Sequence, residues 1–216
     1  MRHCPQKKIM SPDFSNPDFV RIVEAVVSVR SLFAQIEKDK TSLVSPVGIK
    51  DILLPALTKR LSEKSPFSIV VSCRMWNTKQ VSGLLQRYSD HARIIYSGHL
   101  NTCWGRFVLC KELAHLLVDT GDHQFTRDPV SLVQQIITKI PLGGIDNDVH
   151  SENLAAIAAT EMLLPWKFRK QMVEDFSNGK SDMEIAKQFS VPELIVSMMR
   201  GKYGQLSHLA NSISFQ

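Results

Sequence analysis

The apolar positions of this chain fall first at helical spacing, then in β-branched runs, then at helical spacing again. Phe19, Ile22, Val23, Val26, Phe33 and Ile36 recur mostly three and four apart, which predicts an amphipathic helix over 19–38. Its many valines are indifferent helix formers, so tertiary burial must hold it. A break over 39–47 precedes a shorter helix over 49–61, with Pro55 as a blemish. The stretch FSIVVSCRM at 67–75 reads as a strand, and 81–88 and 92–96 flank the polar turn Ser89-Asp90-His91 as a hairpin. Residues 107–118 are apolar except at Lys111, Glu112 and His115. The four-residue step from Lys111 to His115 puts both on one helix face. Beyond a mixed stretch, 130–140 predicts a helix ending before Pro141, and Gly143-Gly144 with Asp146-Asn147-Asp148 a loop. Ser151 is the expected N-cap of a helix over 152–164 that Pro165 stops, and 166–176 is a further helix ending near Asn178-Gly179. Two capping boxes, Ser181 with Glu184 and Ser190 with Glu193, open two short helices, the second ending at Gly201. Helices, a small sheet and more helices make an α+β fold.

Composition adds exclusions. With 44% hydrophobic and 22% charged residues over 216 positions, the chain has material for a real core, and disorder is a poor description of it. No apolar run reaches the roughly 18–20 residues of a membrane-spanning helix, so no membrane partner is expected. The first residues, MRHCPQKKIMSPD, carry charge without an apolar stretch, so no secretory signal is read there and a cytoplasmic location is expected. Cys4, Cys73, Cys103 and Cys110 form no Cys-x-x-Cys pair; they are expected to be unpaired apolar fillers. The net charge of +5 is divided unevenly: 50–111 is basic, whereas the charged residues of 112–166 are mostly acidic. No like-charge tail is present.

The chemistry concentrates at Lys111-Glu112-Leu113-Ala114-His115. It matches His-Glu-x-x-His, in which two histidines one turn apart bind zinc and the glutamate activates metal-bound water, except that lysine stands first. Alone, Glu-x-x-His is weak. Its surroundings add to it: Val81-Ser-Gly83, Ala92-Arg-Ile94-Ile, Arg106-Phe107 and Glu112-Leu-Ala-His115 occur in order. Downstream come Glu152-Asn-Leu-Ala155 to Glu161-Met-Leu163-Leu-Pro165, and then Glu184-Ile-Ala186-Lys-Gln-Phe189-Ser-Val191. Together these resemble the ImmA/IrrE-type metallopeptidase family over roughly residues 18–202.

The resemblance implies a zincin-like peptidase fold, with a small sheet beside the active-site helix and a helical C-terminal part. It implies a peptidase domain over 18–170, a helix-turn-helix-like extension over 171–204, a loose leader over 1–17 and a tail over 205–216. It places the zinc ligands at Lys111, His115 and Glu152 and the catalytic base at Glu112. Two departures stand out. Lysine must lose a proton to bind metal, and its ordinary pKa is about 10.4. Ala156 stands where the family usually has Asn or Asp, a residue that could orient a ligand histidine; losing such a partner typically weakens metal affinity roughly 10–100-fold.

His99, His123 and His150 are the substitute ligands to consider, though each reads as an exposed loop histidine. Cys110 points about 100° away from Lys111 on a helix. Without zinc, Glu152 would face a histidine in a partly enclosed cleft, so Lys111 is expected to pair with Glu152, or with Glu112, in place of the metal.

The preferred reading is a cytoplasmic regulator with this fold, catalytically impaired, lacking a cofactor and acting on a protein partner; the family implies a transcriptional repressor. The alternatives are an active zinc endopeptidase that cleaves such a repressor, and a DNA-binding regulator using the 181–201 helix pair. Nucleic acid is not favoured, because the second helix offers base edges only Glu193, Ser197 and Arg200.

Overall fold

The computed structural model describes residues 17–39, 41–76, 81–119 and 147–200. The leader, the tail, the helix expected at 130–140, the loop at 143–146 and His123 lie outside these residues. Seven α-helices and three strands are present among the described residues, an α+β fold.

Helix α1 (Pro17–Lys38) buries Ala25, Val29, Leu32 and Ile36, a stripe at helical spacing. A π-helical turn (Ile49–Leu53) runs into α2 (Leu54–Leu61). Pro55 falls at the start of α2, where a missing N–H costs least, so it marks a junction and breaks nothing.

The strands are β1 (Ser68–Arg74), β2 (Gly83–Arg87) and β3 (His91–Ser97), in the order β1-β3-β2. Central β3 runs parallel to β1 and antiparallel to β2; Ser68 lies opposite His91 and Gly83 opposite Tyr96. Tyr88 N donates to His91 O at 2.8 Å and closes the hairpin. Leu85 and Ile94 are cross-strand partners and both are buried, which fixes the core face of the sheet.

Helix α3 (Thr102–Val118) begins a turn and a half before the apolar run that announces it. Asn101 caps it, accepting from Trp104 N at 3.0 Å. Gly105 reads as a helix breaker in sequence, but it sits inside this first part of α3. Helix α4 (Asn147–Leu163) packs along α3, with Leu109 and Leu113 in the same buried cluster as Ala155, Ala159 and Leu163. Leu116 packs against that cluster, only partly buried. The expected N-cap, Ser151, is instead inside α4: the acidic residues read as a loop already belong to the helix from Asn147 onward.

After Pro165 come α5 (Trp166–Ser177), α6 (Asp182–Phe189) and α7 (Glu193–Arg200). Ser181 caps α6 with both bonds of its box: Glu184 N donates to its Oγ at 3.3 Å, and Ser181 N to Glu184 Oε2 at 2.8 Å. The second expected box is absent. Ser190 ends α6 in the left-handed region, φ 53°, a conformation that closes a C-terminus and not an N-terminus. Ile185, Phe189, Val191, Ile195 and Met199 join the same buried cluster as α1, α3 and α4. Arg106 ties these parts together, donating from Nε to Ser190 O at 3.1 Å and from Nη2 to Val47 O at 2.8 Å.

The cysteine expectation holds only for Cys110, which is fully buried; burial pushes its thiol up to about 12. Cys103 is intermediate and Cys73 exposed, and the three described cysteines are unpaired. No helix among the described residues is long and apolar enough to cross a membrane.

Candidate functional site

Helical period brings Lys111 and His115 to one face of α3, and the close α3–α4 crossing sets Glu152 opposite them. The small side chains of Ala155 and Ala159 allow that approach. Lys111 Nζ lies 2.6 Å from Glu152 Oε2 and 3.4 Å from Glu112 Oε1. His115 Nε2 lies 3.2 Å from Glu152 Oε1, at ion-pair distance but off the line of a hydrogen bond. Glu112 is 5% exposed and reaches toward β2. A Cβ built on Gly83 would come within 2.6 Å of Glu112 Oε1 and of Val108 Cγ1, so the glycine is what lets strand and carboxylate meet.

Three further residues complete the cluster, and the sequence reading did not include them. His115 Nδ1 lies 3.1 Å from Asp119 Oδ2, one helical turn on. Arg87, from β2, donates to that oxygen at 3.0 Å and also to the carbonyl of His115. Ser151 donates to Asp119 Oδ1 at 2.8 Å. The signal for Asp119 was its four-residue step from His115; Arg87 and Ser151 are placed by tertiary structure alone. Asp119 and Ser151 thus orient the His115 ring through Nδ1, while Ala156 packs against the core.

The electrostatics are mutually supporting. Burial by itself would lower the Lys111 pKa, but Glu112 and Glu152 outweigh it and hold the ammonium above its ordinary value. Burial likewise opposes a charged His115, yet its contacts with Asp119 and Glu152 raise it to about 9. Burial would raise Glu152, but His115 and Lys111 bring it down to about 2. Asp119 is lowered by His115, Ser151 and Arg87 against its own burial. Lys111, His115 and Arg87 therefore stand as cations against Glu112, Glu152 and Asp119.

These residues do not fit zinc. Lys111 is an ammonium without a lone pair, kept protonated by the two carboxylates it touches, so of the three ligands that the resemblance implies only His115 and Glu152 could donate. Among the described residues the candidate substitutes are engaged elsewhere. His99 Nε2 lies 2.9 Å from the carbonyl of Trp76, in the turn after β3. Cys110 is buried in the core with a raised pKa. The side chain of His150 lies outside the described residues. Among the described residues no group of three or more His, Cys, Asp or Glu is placed to hold a metal ion.

Arg200 lies 2.6 Å from Asp182, donates to Lys180 O and stands over the Phe176 ring at 4.3 Å, so its guanidinium is engaged within the chain. Ala186 and Val191 are buried where the α6–α7 pair packs together. No family model matches the chain, and no curated protein matches it significantly.

Proposed function

We propose that this chain is a metal-free relative of the ImmA/IrrE-type metallopeptidases, with a zincin-like core, that acts in the cytoplasm by binding a protein partner of the transcriptional-repressor kind. The observation that carries this reading is Lys111 Nζ, 2.6 Å from Glu152 and 3.4 Å from Glu112, at the position of the family's first zinc ligand. A cation there replaces the metal's charge but not its chemistry. It cannot lower the pKa of a bound water as zinc does, and Glu112, tied to the ammonium, is no longer a free base. What remains is β2 beside these residues, an outer strand of the described sheet, to which an extended peptide can pair by its main chain.

Metal analysis of the full chain, purified without chelator, tests the reading. It requires far less than one zinc per chain, and Lys111→His should raise zinc retention because it restores the missing ligand. One zinc per chain in the unaltered protein would overturn the proposal in favour of an active endopeptidase.

A further inference from the structure

A second charged cluster lies where α1 meets the α4–α5 corner. The guanidinium carbons of Arg30 and Arg169 stand 5.7 and 5.4 Å from the centroid of the Trp166 indole. Arg169 is 6% exposed and pairs through Nη2 with Glu161, which is 3% exposed. Its Nε donates to Leu164 O at 3.4 Å. Nη1 of Arg169, and both Nε and Nη2 of Arg30, are buried with no hydrogen-bond partner. Among the described residues these two guanidiniums face one carboxylate, so a positive charge is left over. A buried donor without an acceptor is costly, and more so when charged. Helix α5 starts at the same indole after Pro165, with no side-chain cap, and its positive end adds to the surplus.

The pattern of the unpartnered atoms is informative. Nε and Nη2 form one edge of a guanidinium, the edge that takes two coplanar oxygens at once. We propose that Arg30, Arg169 and the start of α5 form a binding site for one carboxylate group, gripped side-on by Nε and Nη2 of Arg30, with Nη1 of Arg169 as a third donor and Trp166 as its cover. Trp166 is 42% exposed and its ring lies over both guanidiniums, so a ligand reaches them by displacing the indole. Charge and shape select a carboxylate over a phosphate. A single negative charge neutralises the surplus, Glu161 repels a second one, and a flat group lies under an indole where a tetrahedral one does not. The carboxylate comes either from a small free acid or from an acidic side chain of a protein.

The test follows the Arg30 Nε–H resonance of the full chain by NMR, titrating sodium acetate, sodium phosphate or sodium chloride at constant ionic strength. A capped peptide with one glutamate, and its glutamine twin, form a second pair of arms. Acetate should give a saturable shift, at least about tenfold tighter than phosphate, while chloride gives none. Response to acetate but not the peptide assigns a small acid; response to the glutamate peptide but not its twin assigns a protein. Arg30→Lys keeps the charge, loses the two-pronged edge and should abolish saturation; Trp166→Ala keeps the edge and should still bind. Equal responses to chloride and acetate, tighter phosphate, or undiminished binding by Arg30→Lys would each overturn the site. Should Arg30→Lys not fold, the melting temperature of the unaltered chain decides: it rises with acetate over chloride if the site exists and is unmoved if water alone fills it. The outcome is independent of zinc content.

Discussion

Lys111, His115 and Arg87 face Glu112, Glu152 and Asp119, whereas among the described residues Arg30 and Arg169 face one carboxylate, Glu161. Both clusters join helices across the core, and both are largely out of water. In the first, each carboxylate touches at least one cation, and two of the cations touch two anionic groups. In the second, guanidinium nitrogens are left without acceptors. A buried cation stabilises a fold only when its partners repay its lost hydration. Lys111 meets that condition, as its raised pKa shows. Arg30 does not: burial lowers its pKa first, Arg169 adds to that, and Glu161 opposes only in part. Among the described residues the first cluster sets three cations against three carboxylates, and the second sets two guanidiniums against one.

The largest expected effect is therefore from the lone carboxylate. Glu161→Gln takes the carboxylate partner from the buried Arg169 and should cost about 3–5 kcal/mol, read from urea unfolding. A loss below about 1 kcal/mol would mean that water already screens this corner, and the contrast between the clusters would fail.

Lys111→Met, of similar length, should cost about 2–3 kcal/mol, less than full burial implies because the side chain is 22% exposed. Glu152 and Glu112 would then lose the ammonium between them. A neutral or stabilising result would show that Lys111 does not substitute for a cation, and would weaken the functional proposal with it.

The balanced cluster also sets a pH window. His115 has a folded-state pKa of about 9, above its ordinary 6.5. Its contribution is fully present below pH 6.5 and is lost as pH rises through about 9. Glu152 is depressed from 4.5 to about 2, so its contribution is present above pH 4.5 and is lost as pH falls toward 2. Stability should form a plateau between these limits, with an alkaline decline on the order of 2–3 kcal/mol that Asp119→Asn removes in large part. A flat profile from pH 6 to 10 would contradict a charged His115.

How far the sequence disclosed this arrangement depends on how local each feature is. The face shared by Lys111 and His115 follows from helical spacing, and the capping box at Ser181 from three adjacent positions. The start of α3 is hidden because its apolar run begins only at Phe107, although Asn101 is an N-cap. Ser151 was assigned to a cap because the acidic loop before it looked irregular; only the packing of α4 on α3 shows its hydroxyl meeting Asp119. Ser190 carried a capping signature, yet the sharp corner before α7 uses it in a left-handed turn. Arg30, Glu161 and Arg169 come from separate helices, and Pro165 interrupts any periodic relation between the last two. No one-dimensional pattern gathers them.

The smallest expected effect gives the sharpest comparison. Arg30→Met makes the same kind of change as Lys111→Met, a long cation to a long apolar side chain, but with the opposite context. The guanidinium it removes has two buried nitrogens without acceptors, and its removal relieves repulsion with Arg169. What is lost is a cation–π contact with Trp166 worth about 0.5–1 kcal/mol. The two nearly cancel, so in a buffer of chloride alone Arg30→Met should lie within about 1 kcal/mol of the unaltered chain, on the stabilising side if either. Adding acetate should then separate them, because only the unaltered chain gains from ligand binding, by about 2.7 kcal/mol at a hundred times the dissociation constant. A loss of 2–3 kcal/mol in chloride, equal to that of Lys111→Met, would show that Arg30 is satisfied within the fold and that the two clusters are alike.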